Sequence, residues 1–158
     1  MTRAGIEQLL YAMDEAFKDN PFHSLLNNLK NVQDDDWEWL PPDGKRSILH
    51  IVQHVGYAKR IYENHAFGDR SMDWHNPQGI PQESNPSVMI EWLKEGHEQL
   101  RASVAALEDD EELRKKRMAP WGTEANTRWI VNNKIQHDLY HAGEINYIRA
   151  LRQKNDEL

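Results

Sequence analysis

Two histidines four residues apart, in His137-Asp-Leu-Tyr-His141, are the sharpest chemical feature of the chain. On a helix such a pair stands one turn apart on one face, so both imidazoles reach a single metal ion. The spacing alone also fits two surface histidines. Angular position argues for the interior: at about 100° per residue, both fall on the stripe of Ile130, Ile145 and Ile148. Inward imidazoles need partners, which are either a metal ion or buried hydrogen bonds.

A metal site needs a third ligand from another segment. His54 borders the apolar stripe between Ile51 and Ala58, and His97 shares a stripe with Leu93, Leu100 and Val104. His50 lies farther round toward solvent, and His65 is near a helix end. The order of preference is therefore His54, His97, His50, with a satisfied core histidine as the ordinary description of His97. His23 and His75 sit in or beside connections. Three neutral imidazoles without a thiolate suit Zn, Ni, Fe or Mn and leave positions open for water or substrate. Such an open site is Lewis-acidic: it lowers the pKa of a bound water or thiol, or polarises an electrophile.

The elements that position these residues are helices. Ile6, Leu9, Leu10, Met13 and Phe17 form an apolar stripe that stops before Asn20-Pro21, and Phe22, Leu25, Leu26 and Leu29 make a short second piece. Residues 33–46 (QDDDWEWLPPDGKR) are an acidic connection in which no helix survives the Pro-Pro pair. Ser47 opens a helix running to about Phe67, with Ile48, Ile51, Val52, Val55, Ala58, Ile61 and Tyr62 on one face. Residues 68–85 are a long irregular connection of the kind that often walls a site. Asn85-Pro86 starts a third long helix carried by Ile90, Leu93, Leu100, Val104 and Leu107. Glu108 to Arg117 reads as a solvated helix end and loop, Pro120 and Gly122 break it, and a last helix runs from about Thr127 to Gln153. No strand is expected. The fold class is all-α, a four-helix bundle with long connections, in one domain over residues 1–158. Ile135 and Leu139 lie on another side of the last helix, which implies a second packing partner, either a neighbouring helix or the second subunit of a homodimer.

Composition narrows the function classes. The chain has 158 residues, of which 39% are apolar and 28% charged, with no run long enough to span a membrane and no signal-peptide pattern. A net charge of −7 without a basic patch argues against nucleic-acid binding. The absence of cysteine removes disulfides, a Cys nucleophile and thiolate metal sites, and a cytoplasmic address is expected.

Three stretches carry a resemblance. Ser47-Ile-Leu-His-Ile-Val-Gln-His54 with Tyr57 and Ala58, and His137-Asp-Leu-Tyr-His-Ala-Gly-Glu-Ile145, resemble the second-helix and last-helix motifs of the DinB-like superfamily. Asn20-Pro-Phe-His-Ser-Leu-Leu26 is similar to one branch of it, so the likeness spans about residues 5–153. The resemblance implies an up-and-down variant four-helix bundle with a divalent metal on His54, His137 and His141. Characterised relatives include metal-dependent thiol S-transferases, which join bacillithiol, mycothiol or glutathione to electrophiles, and a thiol-dependent isomerase. Glu144 stands where relatives commonly have Gln. Close in angle to His137, it is a supporting acceptor, an added ligand or an ordinary helix carboxylate. Tyr57 and Tyr140 are candidates to hydrogen-bond water or substrate at the metal, or else pack their rings and leave the hydroxyl wet. Trp37, Trp39, Trp74 and Trp121 fall in connections, where they wall a pocket or cap the bundle ends.

Three functions follow as expectations. The first is a thiol S-transferase with a low-molecular-weight thiol as cosubstrate and a small electrophile as substrate. The second is a metal-dependent hydrolase of a small substrate. The third is a non-catalytic metal-binding stress or structural protein, in which a closed metal shell joins two helices.

Overall fold

Ser47 and Asn85 each have an extended backbone and a side chain that accepts a backbone N–H, and a 20-residue helix starts after each. The computed structural model describes residues 1–82 and 85–152 and is mostly helical. Its α-helices are α1 (Ala4–Asp14), α2 (Leu25–Leu29), α3 (Ile48–Phe67), α4 (Pro86–Ala105) and α5 (Thr127–Leu151). A π-helical turn, Glu15–Asp19, extends α1 to Asn20. Single 3-10 turns lie at Asp34–Asp36 and Asp110–Arg114. The expected last residue of the final helix, Gln153, lies outside the described residues.

One expectation is corrected. Residues 116–126 contain a small antiparallel ribbon, β1 (Lys116–Met118) paired with β2 (Glu124–Asn126), in register Lys116 to Asn126. The segment taken as a helix end and loop is thus a 3-10 turn followed by a strand. Gly122, at φ +88°, makes the reversal between the strands.

The apolar stripes close into two core clusters. In the first, Ile51, Val52 and Val55 of α3 meet Met89, Trp92 and Leu93 of α4 and Ala142, Ile145 and Ile148 of α5. Trp37, from the acidic connection, is also buried there. In the second, Ile6 and Met13 of α1 meet Leu100, Val104, Val131 and Ile135. Ile135 therefore finds its partner within the chain, whereas Leu139 is exposed. On α4 the inner places fall to Met89 and Trp92, and Ile90 is half-buried. α3 and α4 approach closely because Gly56 faces the Trp92 ring and Gly96 faces Arg60.

A buried polar chain crosses the interior. Lys59 Nζ donates to Asp138 Oδ2 at 2.6 Å and lies 3.4 Å from His97 Nδ1. His97 stacks on Phe17 at 3.8 Å and stands 3.6 Å from Asp14, which accepts hydrogen bonds from Arg101 Nε and Nη2. Side chains from α1, α3, α4 and α5 are tied through this chain. No helix among the described residues is long and apolar enough to cross a membrane.

Candidate metal centre

His54 sits on α3 two turns after the Ser47 cap, and α5 presents His137 and His141 one turn apart. Their Nε2 atoms converge. His54 Nε2 lies 3.0 Å from His137 Nε2, which lies 3.2 Å from His141 Nε2. One ligand atom from each ring falls within 4.8 Å of those of the other two. Nitrogens each about 2.0–2.1 Å from one zinc-like ion stand about 2.8–3.4 Å apart, for octahedral to tetrahedral angles. The observed separations of the two close pairs lie inside that interval.

Proton bookkeeping points the same way. His141 Nδ1 lies 2.7 Å from Glu144 Oε2, so it carries the ring proton and Nε2 presents a lone pair to the centre. His137 has one ring proton in its neutral form. On Nε2 that proton leaves Nδ1, buried without a partner among the described residues, as an orphan acceptor. On Nδ1 it leaves two lone pairs facing each other across 3.2 Å. With the proton on Nδ1, a cation between the three nitrogens takes up the facing lone pairs, so the donor set fits a divalent ion, while the Nδ1–H keeps no partner among the described residues.

The environment keeps the imidazoles neutral, as metal ligation requires. Burial is the main cause for all three. It pushes His54 down to about 4, helped by repulsion from His141, Arg46 and Lys134. His137 is pushed down to about 2, with Lys134 the strongest charge acting on it. His141 is lowered against the upward pull of Glu144.

Residues 15–153, most of the chain, match the family model described as MST: Mycothiol-S-transferase. The chain belongs to this family. The mycothiol-S-transferase family is part of the DinB-like metal-dependent superfamily. No curated protein matches the chain.

In this mycothiol-S-transferase family member the other residues singled out from sequence take distinct places. Glu144 bonds His141 and not His137, because residues three apart meet across one turn whereas seven residues span two. Its other oxygen meets Arg46 Nη2 at 3.0 Å, an interaction that sequence reasoning missed. Tyr57 donates its hydroxyl to the Asp73 carbonyl at 2.7 Å. This bond pins the long connection beside the site, where Trp74 stacks over His54 at 5.9 Å and meets Tyr57 edge-on. Tyr140 sets its ring against His141 at 4.9 Å, with the residue 65% exposed. His97 belongs to the buried polar chain, outside the three-histidine cluster. His50 is exposed and uses Nδ1 to close the α3 cap on Ser47. A cavity of about 420 Å³ borders Glu144, with Pro41, Arg46, Tyr147 and Leu151 in its walls. Arg46 and Trp74 lie on connections, where periodicity carries no signal. Lys59 and Asp138 did leave one, as charges at inward positions of α3 and α5.

Proposed function

We propose that the protein is a metal-dependent thiol S-transferase in which His54, His137 and His141 hold a divalent ion. A low-molecular-weight thiol is its cosubstrate and a small electrophile its substrate. The observation that carries this reading is the convergence of three imidazole Nε2 atoms in a member of the mycothiol-S-transferase family. The family's name makes mycothiol the first thiol to test. The same reading takes α1, α3, α4 and α5 as the helices of a DinB-like four-helix bundle in one domain, supported by the packing of α3 on α4 and α5, and of α1 on both α4 and α5.

The chemistry divides between the ion and the chain. A divalent ion held by these imidazoles supplies Lewis acidity, which lets a thiol ionise at neutral pH. Glu144 fixes the His141 ring so that its Nε2 lone pair faces the centre, and Arg46 fixes Glu144. Trp74 covers His54 and limits water on that side. The cavity beside Glu144 is walled by none of the three histidines and adjoins the carboxylate that orients His141. In the transfer itself the thiolate sulfur bonds the electrophilic carbon, the leaving group departs with its electron pair, and the thiol proton passes to water. No protein nucleophile is required, which suits a chain without cysteine.

Elemental mass spectrometry of tag-free protein, beside His54→Ala and His141→Ala, tests the site. About one divalent ion per chain, lost in both variants, is expected. The same three proteins are then assayed for conjugation of mycothiol to an activated aryl halide. Retention of stoichiometric metal in both variants, or no metal after incubation with Zn, Ni or Mn, overturns the reading.

A further inference from the structure

Lys134 lies on α5 one turn before His137 and is 3% exposed. A buried ammonium is costly unless an anion pairs with it. Lys59, equally buried, has Asp138 at 2.6 Å. Lys134 has no such partner among the described residues: its Nζ sits 3.5 Å from the Tyr62 ring centroid, with neither a carboxylate nor a hydrogen-bond acceptor against it. Asp138 is one turn further along α5, yet it gives Oδ2 to Lys59 and leaves Oδ1 unbonded. Two buried lysines thus share one buried carboxylate, and the second lysine is left facing an aromatic ring.

That ring is the inner end of an aromatic panel. Tyr62 meets Trp121 of the β1–β2 turn edge-on at 5.8 Å, and Trp121 meets Trp129 of α5 edge-on at 5.5 Å. Trp121 and Trp129 are about half exposed, at 49% and 48%, so the panel opens to solvent at its outer end. At its inner end the Lys134 charge acts on His137 and His54. The aromatic panel therefore runs from solvent to the Lys134 ammonium, which has no carboxylate against it among the described residues and acts electrostatically on the histidine cluster.

We propose that Lys134, with Tyr62, Trp121 and Trp129, forms an anion subsite that takes the carboxylate or other oxyanion of a flat, apolar ligand. Assigning that ligand as the electrophile rests on the transferase reading; the subsite itself does not. Burial and the Lys59 charge push the amine down to about 7, and a bound anion pulls it back toward the ammonium form.

Isothermal titration of the full chain with trans-cinnamate and its uncharged isostere trans-cinnamamide tests this, both as purified and after EDTA. Cinnamate is expected to bind about 10- to 100-fold tighter, the range for a hydrogen bond to a charged group. Lys134→Met should erase the preference, Lys134→Arg should keep it, and Trp121→Ala, at an exposed position, should weaken both ligands alike. Equal binding of the two ligands to the unmodified chain overturns the subsite, as does an unchanged preference in Lys134→Met or unaltered binding in Trp121→Ala. A preference that vanishes with EDTA assigns the anion to the ion and also overturns it. Conjugating activity plays no part in this readout, so failure of the transferase reading is seen separately.

Discussion

Glu144 reaches His141 from one turn away, its Oε2 2.7 Å from Nδ1, while its Oε1 meets Arg46 at 3.0 Å. A carboxylate held from both sides cannot easily rotate away. The His141 ring is thereby fixed with Nε2 toward the other two histidines, and the acidic connection before α3 is tied to α5 by the same residue.

Glu144→Ala should lower metal affinity about 10- to 100-fold, as loss of a ligand's supporting acceptor commonly does. Glu144→Gln should lose less than Glu144→Ala, since the amide oxygen still accepts the Nδ1 proton, although its NH2 replaces the oxygen that met Arg46. Competition with a chromogenic chelator measures both. Equal affinity in Glu144→Ala and the unmodified chain would show that Glu144 does not orient the ligand.

Legibility in the sequence followed the range of each interaction. His137 and His141 were readable because four residues on a helix fix their mutual position without any tertiary knowledge. His54 was readable because its place on an inward stripe ranked it above His97 and His50, and the family motif agreed with that order. Glu144 is close in angle to His137, yet the two-turn rise between them carries it to His141 instead. Arg46 was not legible, because connections have no period, and Trp74 was legible only as one of four connection tryptophans that wall a pocket or cap the bundle ends. The ribbon strands, three residues each, are too short for alternation to register. Lys59 and Asp138 are 79 positions apart, and nothing local to either announces the other.

Stability of the ion-free protein should fall with pH in a defined window. Folded His54 and His137 titrate at about 4 and about 2, against about 6.5 in an unfolded chain. Below about 6.5 these histidines bind more protons in the unfolded chain than in the folded one, so their contribution to stability is full above that value and declines as pH falls toward 4. His97, lowered to about 3 by burial and the Lys59 charge, adds to the same slope. Melting temperatures in EDTA should drop steadily between about pH 6.5 and pH 4. A flat profile there would contradict the neutral, buried state of these rings.

Lys59 and Asp138 should behave as a buried pair that tolerates joint replacement better than separation. Both side chains are almost fully enclosed, at 2% and 3% exposure. Lys59→Met strands a carboxylate in the interior and should cost about 3–5 kcal/mol in urea denaturation. Lys59→Met with Asp138→Leu removes both charges and should cost less than Lys59→Met alone. A double variant as unstable as the sum of its parts would mean that the two residues do not act together.

Two glycine substitutions should move stability in opposite directions. A methyl at Gly56 would overlap the Trp92 ring, which is held between α3 and the Arg60 guanidinium, 4.2 Å from the ring centroid. Arg60 also donates to the Trp92 carbonyl at 2.6 Å, so neither the ring nor its backbone moves freely. Overpacking of this kind costs about 1–3 kcal/mol, more than the roughly 0.5–1 kcal/mol that alanine gains over glycine within a helix. Gly56→Ala should therefore destabilise. Gly143 is also helical, but a methyl there meets nothing within 4 Å. Only the backbone term remains, and Gly143→Ala should stabilise by about 0.5–1 kcal/mol. Urea denaturation of the two variants separates the cases: if both stabilise, α3 and α4 are not as closely apposed at Gly56 as this packing requires.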